Sequence, residues 1–381
     1  MDFSLNESQT EQRQAIIKFG QEVLSPGAIE RDQNSVFERE LWKRSAEFGL
    51  AGLPIPEEYG GSGLNHLDTI LALEALGYGS QDLGLVFSLC AHMFACSCPI
   101  WEQGTNEQKN RYLPGLCNGE LIAANAISEP ASGSDVYSMA TRVTKDGDDY
   151  ILNGSKIYCT NGPVADLFVV YGTLNPEKGI FGITAFLVDK DTPGLSVTSS
   201  SKKVGLRTSP IGEVYFDDTR IPAAQRLGRE GRGGLIFQNS MGWERGCLFA
   251  SYVGAMEYAL EQATEYARNR KQFNQPIGKF QSVSNRLVDM KLRLEAARLL
   301  IYKTGWKLTT GDPSEQEIAI SKLFISEAAV QSGLDAIQVF GGMGVMSESG
   351  VDALLRHALP ARIFSGTSEI QRNIIAATMG L

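Results

Sequence analysis

Apolar positions recur at helical spacing in residues 11–23, 39–48 and 67–76, which predicts three helices in the first third of the chain. Ser25-Pro26 stops the first, and the run Pro54-Ile55-Pro56 through Gly60-Gly61-Ser62-Gly63 forces a loop between the other two. From about residue 121 the texture shortens to alternating or β-branched runs at 150–152, 167–171, 183–188, 195–198 and 213–216. Asp146-Gly147 and Asn153-Gly154 are tight-turn signals among them. Helical spacing returns near residue 231 in longer segments, 235–268, 282–309 and 315–340, which read as an antiparallel bundle. The order predicts an α+β protein with an N-terminal helical domain (1–120), a middle antiparallel β domain (121–230) and a C-terminal four-helix bundle (231–381). A binding cleft is expected between the layers.

Composition narrows the function classes. At 381 residues, 43% hydrophobic and 21% charged, the chain has the make-up of a globular protein with more than one substructure. A net charge of −9 with no basic tract argues against nucleic-acid binding. The apolar run 83–95 is short and broken by Ser, His and Cys, so no membrane span is expected. Met1-Asp2-Phe3-Ser4 lacks the pattern of a leader. Six scattered cysteines suggest reduced thiols and a cytoplasmic protein, and three dispersed histidines (66, 92, 357) offer no metal site. No GxGxxG follows a strand, which argues against a Rossmann dinucleotide site.

Six blocks carry the candidate chemistry. They are Tyr59-Gly60-Gly61-Ser62-Gly63, then Ala126-Ile127-Ser128-Glu129-Pro130-Ala131-Ser132-Gly133-Ser134-Asp135, then Lys156-Ile157-Tyr158-Cys159-Thr160-Asn161-Gly162. Next come Arg270-Lys271-Gln272-Phe273 with Pro276-Ile277-Gly278-Lys279-Phe280-Gln281, then Gln338-Val339-Phe340-Gly341-Gly342-Met343-Gly344. The last is Ile363-Phe364-Ser365-Gly366-Thr367-Ser368-Glu369-Ile370-Gln371-Arg372. In this order, and over essentially the whole chain, they resemble the flavin and active-site motifs of the acyl-CoA dehydrogenase family. Many members carry a catalytic glutamate directly before the Gly-Thr of the last block, where this chain has Ser365. Gly242-Trp243-Glu244-Arg245-Gly246 resembles the isovaleryl-type branch, whose base sits at the position of Glu244.

The resemblance implies FAD as cofactor. Ala126, Ile127, Ser128, Gly133 and Ser134 would meet flavin edges and pyrophosphate, with Tyr158, Cys159 and Thr160 lying against the ring. Arg270, Gln272, Phe273, Ile277, Phe280, Gln281, Gln338, Val339, Gly341 and Gly342 would reach the pyrophosphate and adenine side, the first three from a neighbouring subunit. Ile363, Thr367 and Glu369 would complete the site. Guanidinium suits a diphosphate through charge-assisted pairs, and a helix start favours phosphate. The residues alone also allow blander readings: a loop at 132–135, a helix terminus at 268–271, and a cap at Thr367.

Glu244 is the candidate base. Its neighbours at helical spacing, Ser240, Met241, Cys247 and Leu248, are largely apolar, so its carboxyl pKa should be raised; on residues alone an ion pair with Arg245 is equally open. By resemblance, Ser365 contributes its backbone N–H to an oxyanion site, and Ser134, Arg245, Phe364 and Gly366 line the substrate pocket. The family also often has Arg-Asp-x-Lys where this chain has Arg356-His357-Ala358-Leu359, which puts local salt bridges in doubt.

Within the family the chain most resembles prolyl–carrier-protein dehydrogenases and oxidases of pyrrole- and anatoxin-type pathways. That implies L-proline tethered through phosphopantetheine to an acyl or peptidyl carrier protein, a homotetramer, and oxygen or an electron-transfer flavoprotein as acceptor. Lys202, Lys203 and Arg207 are candidates to meet an acidic carrier protein. A branched acyl-CoA dehydrogenase and a non-catalytic flavin-binding scaffold for carrier proteins are the alternatives.

Overall fold

The computed structural model describes residues 4–311 and 315–381; Met1-Asp2-Phe3, read above for a leader, lies outside them. The N-terminal helices are α1 (Glu7–Phe19), α2 (Ala28–Asn34), α3 (Arg39–Glu47), α4 (His66–Gly79), α5 (Leu83–His92), α6 (Cys98–Gln103) and α7 (Asn106–Cys117). Reciprocal capping boxes start α1 (Asn6 with Gln9) and α7 (Thr105 with Gln108). A π-helical turn, Met93–Ser97, joins α5 to α6, so the apolar run is longer than the sequence suggested. Leu83–Gln103 is long and apolar enough to cross a membrane, but 89% of its most apolar window is buried inside the protein.

The middle region holds strands β1 (Ala123–Ala126), β2 (Arg142–Asp146), β3 (Asp149–Thr160), β4 (Leu167–Thr173), β5 (Ile183–Asp189), β6 (Leu195–Val197), β7 (Ile211–Ile221) and β8 (Arg226–Leu227). They form one sheet in the order β6-β7-β3-β2-β4-β5-β8, with β1 beside β4. Most pairs are antiparallel; β1 runs parallel to β4, a pairing hidden in sequence because β1 is only Ala-Ala-Asn-Ala. β4 is buried at every position, since helices cover one face of the sheet and its own second core covers the other. Asp146-Gly147 does turn β2 into β3. Asn153-Gly154 does not turn: it lies inside β3 at a bulge, where a Cβ on Gly154 would stand 2.7 Å from Thr141 Oγ1.

The C-terminal region contains α8 (Gly233–Trp243), α9 (Ala250–Asn269), a small hairpin of β9 (Lys271–Gln272) and β10 (Gln275–Pro276), α10 (Gln281–Thr309), α11 (Glu315–Phe340), α12 (Ala353–Ala361) and α13 (Ser368–Thr378). The single helix expected over 235–268 is broken by a π-helical turn, Glu244–Leu248, between α8 and α9. The N-terminal helices are locked onto this bundle through α4 and α9. A Cβ on Gly77 would lie 1.9 Å from Ser251 O, and one on Gly254 2.0 Å from Glu74 O. Only glycine permits that approach. Arg298 on α10 pins the same corner, bonding Glu74 at 2.7 Å and Glu257 at 2.8 Å. Arg356 is also well paired, to Asp352 at 2.6 Å and to Asp32, so the local ion pairs placed in doubt are rebuilt with different partners.

Candidate active site

Glu244 opens the π-helical turn that follows α8. One extra residue per turn rotates the following side chains, and such turns recur at functional sites. Glu244 is only 8% exposed, among Ser240, Met241, Cys247 and Leu248, all buried. The preceding indole is fixed on two sides. Trp243 Nε1 donates to Glu102 Oε1 at 2.7 Å, and its ring stacks on His66 at 3.6 Å between centroids.

From 121 positions further along the chain, Ser365 Oγ donates to Glu244 Oε1. Ser365 has φ 56 and the following Gly366 φ 89, so the segment curls back before Thr367 caps α13. Arg245 Nε donates to Ser365 O at 2.7 Å, and Gln371 Nε2 donates to Gly366 O at 3.0 Å. A Cβ on Gly366 would meet Gln371 Nε2 at 2.8 Å, which accounts for glycine there. Among the described residues the Ser365 N–H meets no acceptor. Burial raises the Glu244 carboxyl above the usual carboxylate range; the Ser365 hydroxyl, Arg245 and Lys322 oppose that rise without cancelling it.

Beside this corner lies a cleft of about 280 Å³, lined among others by Ser134, Tyr137, Phe237, Met241, Arg245 and Gln371. Gly242 lines it with open space where a side chain would stand, and Gln238 bonds Glu315 at 2.8 Å on its lining. Phe364 is held between Phe87 (4.6 Å) and Phe249 (5.7 Å). Arg245, Ser365 and Gly366 therefore converge with Glu244, and Arg245 joins this corner to the cleft that Ser134 also lines.

The residues expected to hold FAD fall into two sets. Ser128, Gly133, Ser134, Tyr158, Thr160, Ile363, Thr367 and Glu369 are accessible to differing degrees. Tyr158 is 72% exposed at φ 56, and Ile363 is 67% exposed. A Cβ on Gly133, Gly341 or Gly342 would meet nothing within 4 Å. Four of the expected residues turn their side chains away from such a site. Cys159 is buried in the inner sheet core, because a bulge between Lys156 and Cys159 turns Tyr158 outward and the thiol inward. Val339 packs against Ala263, Ala267 and Met290, and Ala126 and Ile127 are likewise buried, so these three can offer only backbone. The second set, Arg270, Gln272, Phe273 and Gln281, is exposed, with Ile277, Phe280 and Gln338 beside it. Phe273 is 88% exposed at the tip of the β9–β10 hairpin, touching Phe280 alone among the aromatic rings of the described residues.

Several residues of this region escaped the sequence reading. Glu129 and Lys156, from two different blocks, form a buried ion pair at 2.7 Å. Burial alone would raise the Glu129 carboxyl, but Lys156 and the backbone N–H groups of Ala140 and Thr141 outweigh it and hold it low. Each stands in one of the quoted blocks, with no local sign that the two meet. Gln371 and Lys322 carried none, being one polar residue each on an ordinary helical face. Lys203, expected at the surface, is turned inward onto Ser209 O, and burial pulls it down to about 8.

Comparison with known proteins agrees with this geometry. Sequence models of the acyl-CoA dehydrogenase N-terminal, middle and C-terminal domains match residues 6–120, 124–219 and 231–380. An L-prolyl-[peptidyl-carrier protein] dehydrogenase of Serratia sp. is 49% identical over 381 residues, covering 100% of this chain and 99% of the relative. Among solved structures, PigA with FAD and proline superposes with a TM-score of 0.98 at 49% identity, over 100% of both chains. The prolyl acyl carrier protein oxidase AnaB superposes with a TM-score of 0.97 at 46% identity, over 99% of this chain and 100% of that one. With all three domain models matched in order over a fold that superposes along its whole length, the chain belongs to the acyl-CoA dehydrogenase family.

Proposed function

We propose that this protein is an FAD-dependent enzyme that oxidises an L-prolyl thioester carried on an acyl or peptidyl carrier protein to the pyrroline thioester. One observation carries the reading: a buried carboxylate, Glu244, stands at the head of a π-helical turn and is held by Ser365 next to the cleft that Arg245 lines. Full-length similarity to the prolyl–carrier-protein enzymes supports the substrate class.

The residues present fit FAD. The outward Tyr158 ring, the space beside Gly133 and the exposed Ile363 make an open cradle on one side. Arg270 and Phe273 offer a guanidinium and a ring that their own subunit leaves exposed. When bound there, FAD supplies the hydride acceptor. Glu244 removes the α-proton of the prolyl group, and its raised pKa makes it a competent base for a weakly acidic carbon. The Ser365 N–H, free of any acceptor among the described residues, takes the thioester oxygen as charge develops. Ser365 Oγ keeps the carboxylate in one orientation, and Arg245 fixes Ser365 in turn. The proton ends on Glu244, and the adjoining ring position gives up the hydride, leaving a double bond in the five-membered ring.

Two features support a homotetramer. Val288, Leu292, Leu299 and Trp306 are exposed on α10, an apolar surface suited to a second copy. The Phe273 hairpin projects away from its own subunit. Six buried, unpaired thiols support a reducing, cytoplasmic location. The deciding experiment mixes FAD-loaded protein anaerobically with L-prolyl carrier protein and then admits air. Bleaching of the flavin in wild type but not in Glu244→Gln is the expected result, and fast recolouring in air marks oxygen as acceptor. Bleaching by a branched acyl-CoA instead, with none by the prolyl carrier, overturns the substrate class.

A further inference from the structure

A second charge lies behind the base. Lys322 on α11 is fully buried, yet its Nζ has no hydrogen-bond partner among the described residues. Buried ammonium groups are normally paired, because leaving water without compensation is costly. Lys322 instead stands over the face of the Phe249 ring, 5.4 Å from its centroid. Phe249 follows the π-helical turn that carries Glu244 and stacks on Phe364, the residue before Ser365. The ammonium is thus set by the same packing that sets both halves of the Glu244–Ser365 pair.

We propose that Lys322 is a positioning residue for Glu244, acting through its charge and without contact to substrate. The proposal rests on the reading of Glu244 as the base. The charged groups that act on Lys322 come from three elements: Glu244 and Arg245 from the π-helical turn, Glu369 from α13 and Glu327 from α11 itself. Glu327 already bonds Arg362 and Ser368, and Glu369 is exposed and close to Arg372. Glu244 remains as the buried anion, with Arg245 and Lys322 as the two cations that act on it, and Arg245 is held in place through Nε on Ser365 O. Burial, with help from Arg245, pulls Lys322 down to about 7. Its charge therefore changes in the range where an enzyme works. Charged, it favours the Glu244 carboxylate; neutral, it leaves that carboxylate more basic. Uptake of the substrate proton by Glu244 removes the anion that favours the Lys322 ammonium, which lowers the Lys322 pKa further.

The test is an infrared titration of FAD-loaded protein. The Glu244 carboxyl band is identified by its loss in Glu244→Gln and followed with pH in wild type, Lys322→Met and Lys322→Arg. In Lys322→Met the titration moves up by about one pH unit, as expected for loss of a nearby cation. Lys322→Arg, which keeps the charge, stays near wild type. Should Lys322→Met not hold FAD, Lys322→Gln replaces it. Superimposed titrations of wild type and the neutral variant overturn the proposal. A shifted titration with no matching shift in the acid limb of kcat leaves the coupling standing and overturns Glu244 as the base.

Discussion

Ser365 Oγ donates to Glu244 Oε1 across 121 positions of sequence. The proposed base thus takes its orientation from a segment far along the chain. The hydroxyl favours the ionised carboxylate, so it opposes the upward pull of burial.

Removing that donor has a predictable sign. Ser365→Ala raises the Glu244 pKa, and the acid limb of the kcat profile moves to higher pH. At a fixed pH near the foot of that limb, a displacement of about one pH unit lowers the rate roughly tenfold, while FAD binding is retained. A pH profile superimposable on wild type would show that the hydroxyl has no influence on the base.

Glu244→Gln exchanges activity for stability. The folded pKa of Glu244 lies above its unfolded value, so its contribution to stability is full below the unfolded pKa and is lost as pH rises through the folded pKa. At about pH 8 the variant therefore melts higher than wild type, and the gap narrows as the pH falls towards about 5. Turnover drops by roughly 10²–10⁴-fold, the usual contribution of a general base. Thermal melts at the two pH values check the first claim, and anaerobic flavin bleaching checks the second.

The Glu129–Lys156 pair links two flavin-site blocks through the sheet. Lys156→Met leaves a buried carboxylate and costs about 3–5 kcal/mol, whereas the double variant Lys156→Met/Glu129→Leu recovers much of that loss. Chemical denaturation of the single and double variants measures the difference.

Phe273 offers a test of assembly. Its ring meets Phe280 at 6.0 Å and is otherwise exposed, so Phe273→Asp leaves the subunit folded. If the hairpin serves the neighbouring subunit's cofactor, the variant loses FAD and sediments as a smaller species. Retained FAD in an unchanged oligomer would count against that role.

Much of the fold is legible along the chain because its signals are local. The helical spacing of 282–309 reappears as Gln281–Thr309, and the Asp146-Gly147 turn joins two paired strands. Asn153-Gly154 misleads because the same dipeptide suits a turn and a bulge, and only the register against β7, with Thr141 pressed on Gly154, selects the bulge. Cys159, expected beside Tyr158 against the ring, turns inward for a similar reason. Alternation assigns faces only while the register is unbroken, and the break between Lys156 and Cys159 resets it.

Residue type and spacing alone carried the three-part helical–β–helical order, and the resemblance of the six blocks pointed to Glu244 as the candidate base with Ser365 at the other position. Tertiary structure decided what each charge does. Whether Glu244 pairs with Arg245 or with Ser365, and whether Lys322 has a partner, depend on segments more than a hundred positions apart or on the packing of whole helices. Burial and proximity set the energy of a charge, and neither is written in its neighbours along the chain.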